Sequence, residues 1–509
     1  DHDGAVAALR HALELNPASA PTRLNLASAL ILIGEVEEAE TLLRRALTVD
    51  PRDKPARMEL AALLKRLGRE DEVVALLQEG TAADPADPHM QLSLGAEART
   101  AGKHRQAEEA LRTALDLSPT LGGAYIHLAA LFDTLNREAE IAPLIVQAEA
   151  QAVPDGALNY MRALDHRRAG RFAEALEALD RIEQVDDLAR IENLRGQFLD
   201  RLGRYDEAFA AFGRGNELML RDPSAPEARA EQYRSFVRDE RDTVTKEWFS
   251  NWRDHPLSGD RPSPVFLVGF PRSGTTLLDT ILMSHPDVEV LEEEPVMREA
   301  FDILGHAREL PNADPALIDR ARASYWKAAG ELTPLAPGKL LIDKNPLQMN
   351  KLPLIRRLFP DARIILALRH PCDVLLSCFV TNFKLNSGMA NFLRLDTAAE
   401  LYDLSFSSIA RAEQVMGIPV HRVTYENIVD DRERELRPLF GFLDLDWRDQ
   451  VLEHEKTARA RTHIKTASYA QVIEPVYKRS AGRWTRYREH LEPIIPVLRP
   501  WAEKFGYDL

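Results

Sequence analysis

The sequence predicts two architectures in one chain: an all-α superhelical array, then an α/β domain built on a mostly parallel sheet. Three observations carry this. The first part of the chain repeats every 34 residues. The stretch PVFLVGFPRSGTTLLDTILM, residues 264–283, reads as a buried strand, a glycine-bounded loop and a helix. Beyond residue 339 short β-branched runs alternate with helical patterns, the signature of parallel strands covered by helices.

Pro17, Pro51, Pro85 and Pro119 mark the period. Between them fall Gly34, Gly68, Gly102, Asn136 and Gly170 at the same spacing, with Gly203 one residue short. Ala39, Val73, Ala107, Ile141, Ala175 and Ala208 follow each of these positions by five. In the third unit Leu94 and Gly95 lie on a first helix, and Ala107, Leu111 and Ala114 form an i, i+4, i+7 stripe on a second. A helix pair this small cannot bury its own apolar face, so neighbours must stack. The pattern resembles tetratricopeptide repeats. It is strong to about residue 155, weaker in the fifth and sixth repeats, and the first repeat lacks its first helix. Such an array implies a concave surface for a protein or peptide, with a spacer or dimerisation role, and so a homo-oligomer, as the competing readings.

Composition sets bounds. The 509 residues suffice for two or more domains. A formal net charge of −15 argues against a general nucleic-acid binder. The two cysteines, Cys372 and Cys378, do not share a helix face, so neither a disulfide nor a metal pair is expected, and buried thiols fit a cytoplasmic protein. No apolar run is long enough to span a membrane. The N-terminus is not a signal peptide, and its start within the repeat pattern fits a fragment or processed form.

Residues 221–261 form the join, rich in Pro, Ser and charge around a predicted helix from Gln232 to Trp252. The strand Val265–Val268 then delivers Gly269 to Gly274, and Thr275 opens a helix with Leu277, Leu278, Ile281 and Leu282 on one face. That geometry aims backbone N–H groups and a helix dipole at an anion. The spacing is that of a nucleotide-triphosphate loop, but Thr275 stands where the lysine belongs and Arg272 is the only cation. A phosphate cradle is expected from Arg272, Ser273, Gly274, Thr275 and Thr276.

Asp287 to Leu291 turns into a short strand ending in Glu292, Glu293 and Glu294, where a catalytic carboxylate fits an open α/β sheet. Residues 302–337 read as polar helix and loop. Leu340 to Ile342 is a strand leading to Asp343, Lys344, Asn345 and Pro346; Arg363 to Leu368 is another, ending in Arg369, with Ser377 on the next helix. Arg369 with Ser377 is a second candidate phosphate contact. Pro419 to Tyr425 is a further strand, Arg432 to Leu443 a helix, and Thr466 to Tyr487 a basic, hydroxyl-bearing run.

Taken together, residues 264–290, 339–382, 419–444 and 465–487 resemble the sulfotransferases that use PAPS (3′-phosphoadenosine 5′-phosphosulfate), and most of all the tyrosylprotein sulfotransferases. The resemblance implies a P-loop-like domain over residues 262–509, joined to repeats over residues 1–220. It implies PAPS as donor and PAP as product, with a protein, peptide or other hydroxyl as acceptor. The 5′-phosphosulfate would lie on Arg272 to Thr276, the 3′-phosphate on Arg369 and Ser377, and the nucleotide near Tyr425 and Arg483. Glu293 would be the general base, with Glu292 and Glu294 as alternatives; Lys344, Arg272 and Ser468 complete the catalytic set, without a metal. Ser468 to Val476 matches the family's serine-bearing segment. Pro295 stands where the substrate-reading arginine would be, with Arg298 the candidate substitute. A P-loop kinase or NTPase, and a scaffold with an inactive domain, are the alternatives.

Overall fold

The 34-residue period becomes a capping pattern in the computed structural model, which describes residues 2–183, 187–253, 255, 261–460 and 481–509. Ser19, Asp53 and Asp87, themselves 34 apart, each accept a backbone N–H at the start of a first helix, with proline in its first turn. Those helices are Ala20–Ile33, Lys54–Arg66 and Pro88–Thr100. They are answered by Val36–Val49, Glu70–Ala83 and His104–Leu117. The turns need a left-handed residue: Gly34, Gly68 and Gly102 have φ of 88°, 70° and 77°, and Asn136 takes 55° at the equivalent place. Ala107, Leu111 and Ala114 are all buried. The Gly95 requirement is steric, since a Cβ there would lie 2.5 Å from Leu111 Cγ. His2–Leu15 stands as a single helix before the first complete pair.

The chain divides into two compact units, Asp1–Arg204 with Arg221–Ala225, and Tyr205–Leu220 with Pro226–Leu509. The helix Tyr205–Leu220 therefore packs with the second unit: Phe209 stacks on Phe379 at 4.9 Å, and Asn216 Nδ2 donates to the Phe379 carbonyl at 3.1 Å. The helix predicted over Gln232–Trp252 is instead two, Pro226–Thr243 and Lys246–Ser250. The break falls at Val244 and Thr245, where the Thr245 hydroxyl caps the second helix by accepting Trp248 N–H at 3.0 Å. Two β-branched residues with a capping hydroxyl favour that interruption.

The second unit is built on five parallel strands: β1 Val265–Gly269, β2 Val288–Glu292, β3 Leu340–Lys344, β4 Arg363–Leu368 and β5 Val420–Thr424. Their order is β2-β3-β1-β4-β5. The connection after β1 leads to one side of the sheet and that after β4 to the other. The carboxyl ends of these neighbours therefore flank a topological switch point, the place where open α/β sheets bind ligands. β1 is buried along its whole length. The helix α1, Thr275–Met283, follows β1 directly; α2, Arg298–Leu304, follows β2; α3, Pro371–Val380, follows β4. Among the described residues no helix is long and apolar enough to cross a membrane.

Candidate active site

The loop between β1 and α1 is shaped by three backbone constraints. A Cβ on Gly269 would meet the Ala367 carbonyl at 2.8 Å, so β4 crowds the loop's entrance. Arg272 adopts a φ of 69°, rare for a non-glycine residue, and Gly274 one of 96°. A Cβ on Gly274 would also lie 2.7 Å from Tyr425 Cδ2. The curl sets Thr275 and Thr276 at the buried start of α1. Ser273 is buried, and its Oγ has no hydrogen-bond partner among the described residues. An orphaned hydroxyl beside a helix N-terminus suits a phosphate or phosphosulfate oxygen, and on this ground the residues present fit PAPS.

The second strand tip reaches the same loop. Arg272 Nε donates to Ser377 Oγ on α3 at 3.0 Å, and Arg369 Nη1 donates to the Arg272 carbonyl at 3.1 Å. The Arg369 guanidinium lies 4.9 Å from the centre of the Tyr425 ring. Burial, with Arg369 and Arg483 nearby, pulls the Arg272 guanidinium down to about 10. Three guanidiniums around one loop repel one another, and a bound anion relieves that repulsion. Arg483 is brought in by a residue that sequence reasoning passed over. The buried Asp373, in the first turn of α3, accepts Gly482 N–H at 2.6 Å and Trp484 N–H at 2.8 Å, gripping the backbone on both sides of Arg483. Trp484 stacks on His370 at 4.9 Å. A lone carboxylate in the mostly apolar PCDVLLSCFV segment was the available signal.

A second cluster forms at the ends of β2 and β3. Lys344 is fully buried, and its Nζ lies 2.8 Å from Glu293 Oε1, 3.1 Å from Asp279 Oδ2 and 3.4 Å from Glu292 Oε1. Burial pulls the ammonium's pKa down, yet Asp279, Glu293 and Glu292 outweigh it and the net shift is upward. Glu292 is the last residue of β2 and in register with Lys344. The chain then turns left-handed at Glu293, φ 54°, whose N–H donates to the Lys344 carbonyl at 2.7 Å. This turn folds Glu293 back over the lysine while leaving its side chain 36% exposed. A strained backbone at such a place is the kind stored at functional sites.

The structure thus gathers Arg272, Ser273, Gly274, Thr275, Thr276, Arg369, Ser377, Tyr425 and Arg483 about one loop, and joins Glu293 to Lys344. The two groups lie at the carboxyl ends of adjoining strands, since β3 pairs with β1 on one side and with β2 on the other. Ser468 lies outside the described residues, as does most of the basic run before Arg483. Asp279, like Asp373, escaped the sequence reading; it stands alone as a charge in the helical TTLLDTILM segment.

Both parts of the chain resemble known proteins. A family profile described as "Sulfotransferase family" matches residues 264–449, and tetratricopeptide-repeat profiles match residues 1–47, 34–96 and 160–215. A protein of Aquifex aeolicus, described as uncharacterized, is 26% identical over 422 residues, covering 79% of this chain. The chain spans only about half, 53%, of that relative's length. Protein-tyrosine sulfotransferase 1 of Danio rerio is 28% identical over 270 residues, 48% of this chain and 72% of that protein. Among solved structures, the sulfotransferase domain of the Synechococcus PCC 7002 olefin synthase is 22% identical over 51% of this chain and 99% of its own, with a TM-score of 0.36. The chain therefore joins tetratricopeptide repeats to a sulfotransferase domain that the family profile matches over residues 264–449.

Proposed function

We propose that this protein transfers a sulfuryl group from PAPS to an acceptor hydroxyl, and that the repeats recruit a protein or peptide bearing it. One observation carries the reading: Arg272 and Arg369, from two strand tips, meet at a single loop with Ser377 between α3 and the Arg272 side chain. A nucleotide with phosphate groups at both ends of its ribose needs two such contacts within one site. When bound, PAPS supplies the activated sulfuryl group. The chain does the rest. Arg272 to Thr276 hold the 5′ end, Arg369 and Ser377 hold the 3′-phosphate, and Tyr425 and Arg483 bind the nucleotide. Glu293 takes the proton of the acceptor hydroxyl. Lys344 and Arg272 place positive charge where negative charge develops. Glu292 and Glu294 are the other carboxylates open to the base role, and Ser468 completes the proposed set. The names of the animal relatives support a tyrosine acceptor. Both cysteines are free and buried, which supports a cytoplasmic setting.

Calorimetry with PAP and with ATP tests the reading directly. PAP is expected to bind and ATP to bind far more weakly, because Thr275 replaces the lysine that ATP loops use. Arg369→Ala is expected to weaken PAP by about 10²-fold, the loss of a charge-assisted contact pair, and to leave adenosine 5′-phosphosulfate less affected. Tighter binding of ATP than of PAP overturns the proposal in favour of a P-loop NTPase. Gly274→Ala combines a left-handed backbone with a Cβ 2.7 Å from Tyr425. It is expected to lower PAP affinity about 5- to 30-fold, since the left-handed backbone alone costs about 1–2 kcal/mol.

A further inference from the structure

Resting on that sulfotransferase reading, we propose that Asp279 is a positioning residue that fixes Lys344 beside the anion loop, tying the helix that cradles the donor to the lysine that faces the transferring group. Three carboxylates converge on this ammonium: Glu293 and Glu292 accept hydrogen bonds from it at 2.8 and 3.4 Å, and Asp279 Oδ2 is ion-paired with it at 3.1 Å without hydrogen-bond geometry. The three are not equivalent. Glu293 is 36% exposed and must reach an acceptor hydroxyl, and Glu292 is 13% exposed, whereas the Asp279 side chain is completely buried. When Glu293 turns towards an acceptor, Asp279 still holds Nζ.

Its own place is fixed twice. Asp279 lies four residues after Thr275, one turn along α1 from the cradle, so helix rigidity sets its distance from the loop. The single Thr280 hydroxyl hydrogen is shared between the Thr276 carbonyl at 2.8 Å and Asp279 Oδ1 at 3.1 Å. The charged groups facing Lys344 among the described residues are Asp279 from α1 and Glu292 and Glu293 from the end of β2, whereas Asp343, its neighbour on β3, accepts from the Tyr325 hydroxyl on the opposite face of the sheet. Together the carboxylates keep Lys344 protonated beyond the ordinary lysine range, against the pull of burial. Removing the Asp279 charge removes the most deeply buried of these partners, so the ammonium loses its proton at lower pH.

Affinities for PAPS and PAP, measured by calorimetry between pH 7 and about 10, the ordinary lysine value, test this without any acceptor. Their ratio isolates what the sulfuryl group contributes and reads the charge at Nζ. In the unaltered protein the ratio should be flat across the range, because Arg272, pulled down to about 10, meets the 5′ end of both nucleotides and its titration cancels in the ratio. In Asp279→Asn it should fall about tenfold towards the alkaline end, the size of a lost contact to a charged group, while PAP affinity at pH 7 is unchanged. Asp279→Glu, which restores the charge, should recover part of the ratio. A ratio in Asp279→Asn that follows the unaltered protein throughout overturns the assignment. Failure of the unaltered protein to bind either nucleotide overturns the sulfotransferase reading instead. Should circular dichroism find Asp279→Asn unfolded, Thr280→Val is measured in its place; a fall in the same direction supports the assignment and an unchanged ratio overturns it.

Discussion

Glu293→Gln is expected to lower sulfuryl transfer by about 10²–10⁴ while leaving PAP affinity unchanged, the loss that follows removal of a general base. The substitution keeps the side chain's length and one carbonyl oxygen. That oxygen still accepts from Lys344 Nζ, which lies 2.8 Å from Glu293 Oε1. The turn at φ 54° depends on the backbone N–H bonded to the Lys344 carbonyl and is indifferent to the change. What disappears is the capacity to take a proton. Initial rates of labelled sulfate transfer from PAPS to a tyrosine-containing peptide measure the effect, with Glu292→Gln and Glu294→Gln beside it. Were Glu293→Gln as fast as the unaltered protein, the base would be one of its two neighbours. The present geometry favours Glu293 because it combines the shortest contact to Lys344 with an open side chain.

The parts of this chain that were legible in its sequence are those that local physics dictates. The repeat is written by caps and turns: Ser19, Asp53 and Asp87 start helices, and Gly34, Gly68 and Gly102 take left-handed turns, each within a few residues of what it serves. The course of the loop at residues 269–274 is legible for the same reason, since strand, glycines and helix are contiguous. The parallel sheet followed from buried β-branched runs, and Arg369 and Ser377 from their places after one of them. Asp279 and Asp373 were not legible. Each is a carboxylate in an apolar helix, and its meaning lies in a partner far along the chain, Lys344 for one and the Gly482–Trp484 backbone for the other. Spacing within a helix carries no information about such a pairing; strand order and register create it. The choice among Glu292, Glu293 and Glu294 was undecided for a related reason. It depends on a left-handed turn at a residue with no glycine or asparagine to announce it.

Removing the lysine itself should cost more stability than removing any of its partners. Lys344→Met keeps an unbranched side chain of similar length but leaves Asp279, Glu292 and Glu293 without their common cation. Breaking a buried ion pair from one side costs about 3–5 kcal/mol, because the remaining charge is neither hydrated nor paired. The pH dependence separates this from a packing defect. In the unaltered protein Lys344 has a folded pKa above its unfolded value, so its contribution is fully present below the ordinary lysine range and is lost only on rising through the higher folded value. In Lys344→Met the orphaned carboxylates acquire folded pKa values above their unfolded ones. Their protonated forms are tolerated, so the deficit should be largest at neutral pH and shrink as pH falls towards about 4, the ordinary carboxylate range. Denaturant unfolding of both proteins at several pH values measures it, and a deficit constant with pH would assign the loss to packing alone. Adding Asp279→Asn to Lys344→Met should recover part of the loss at neutral pH, since the two side chains touch and their effects cannot be additive.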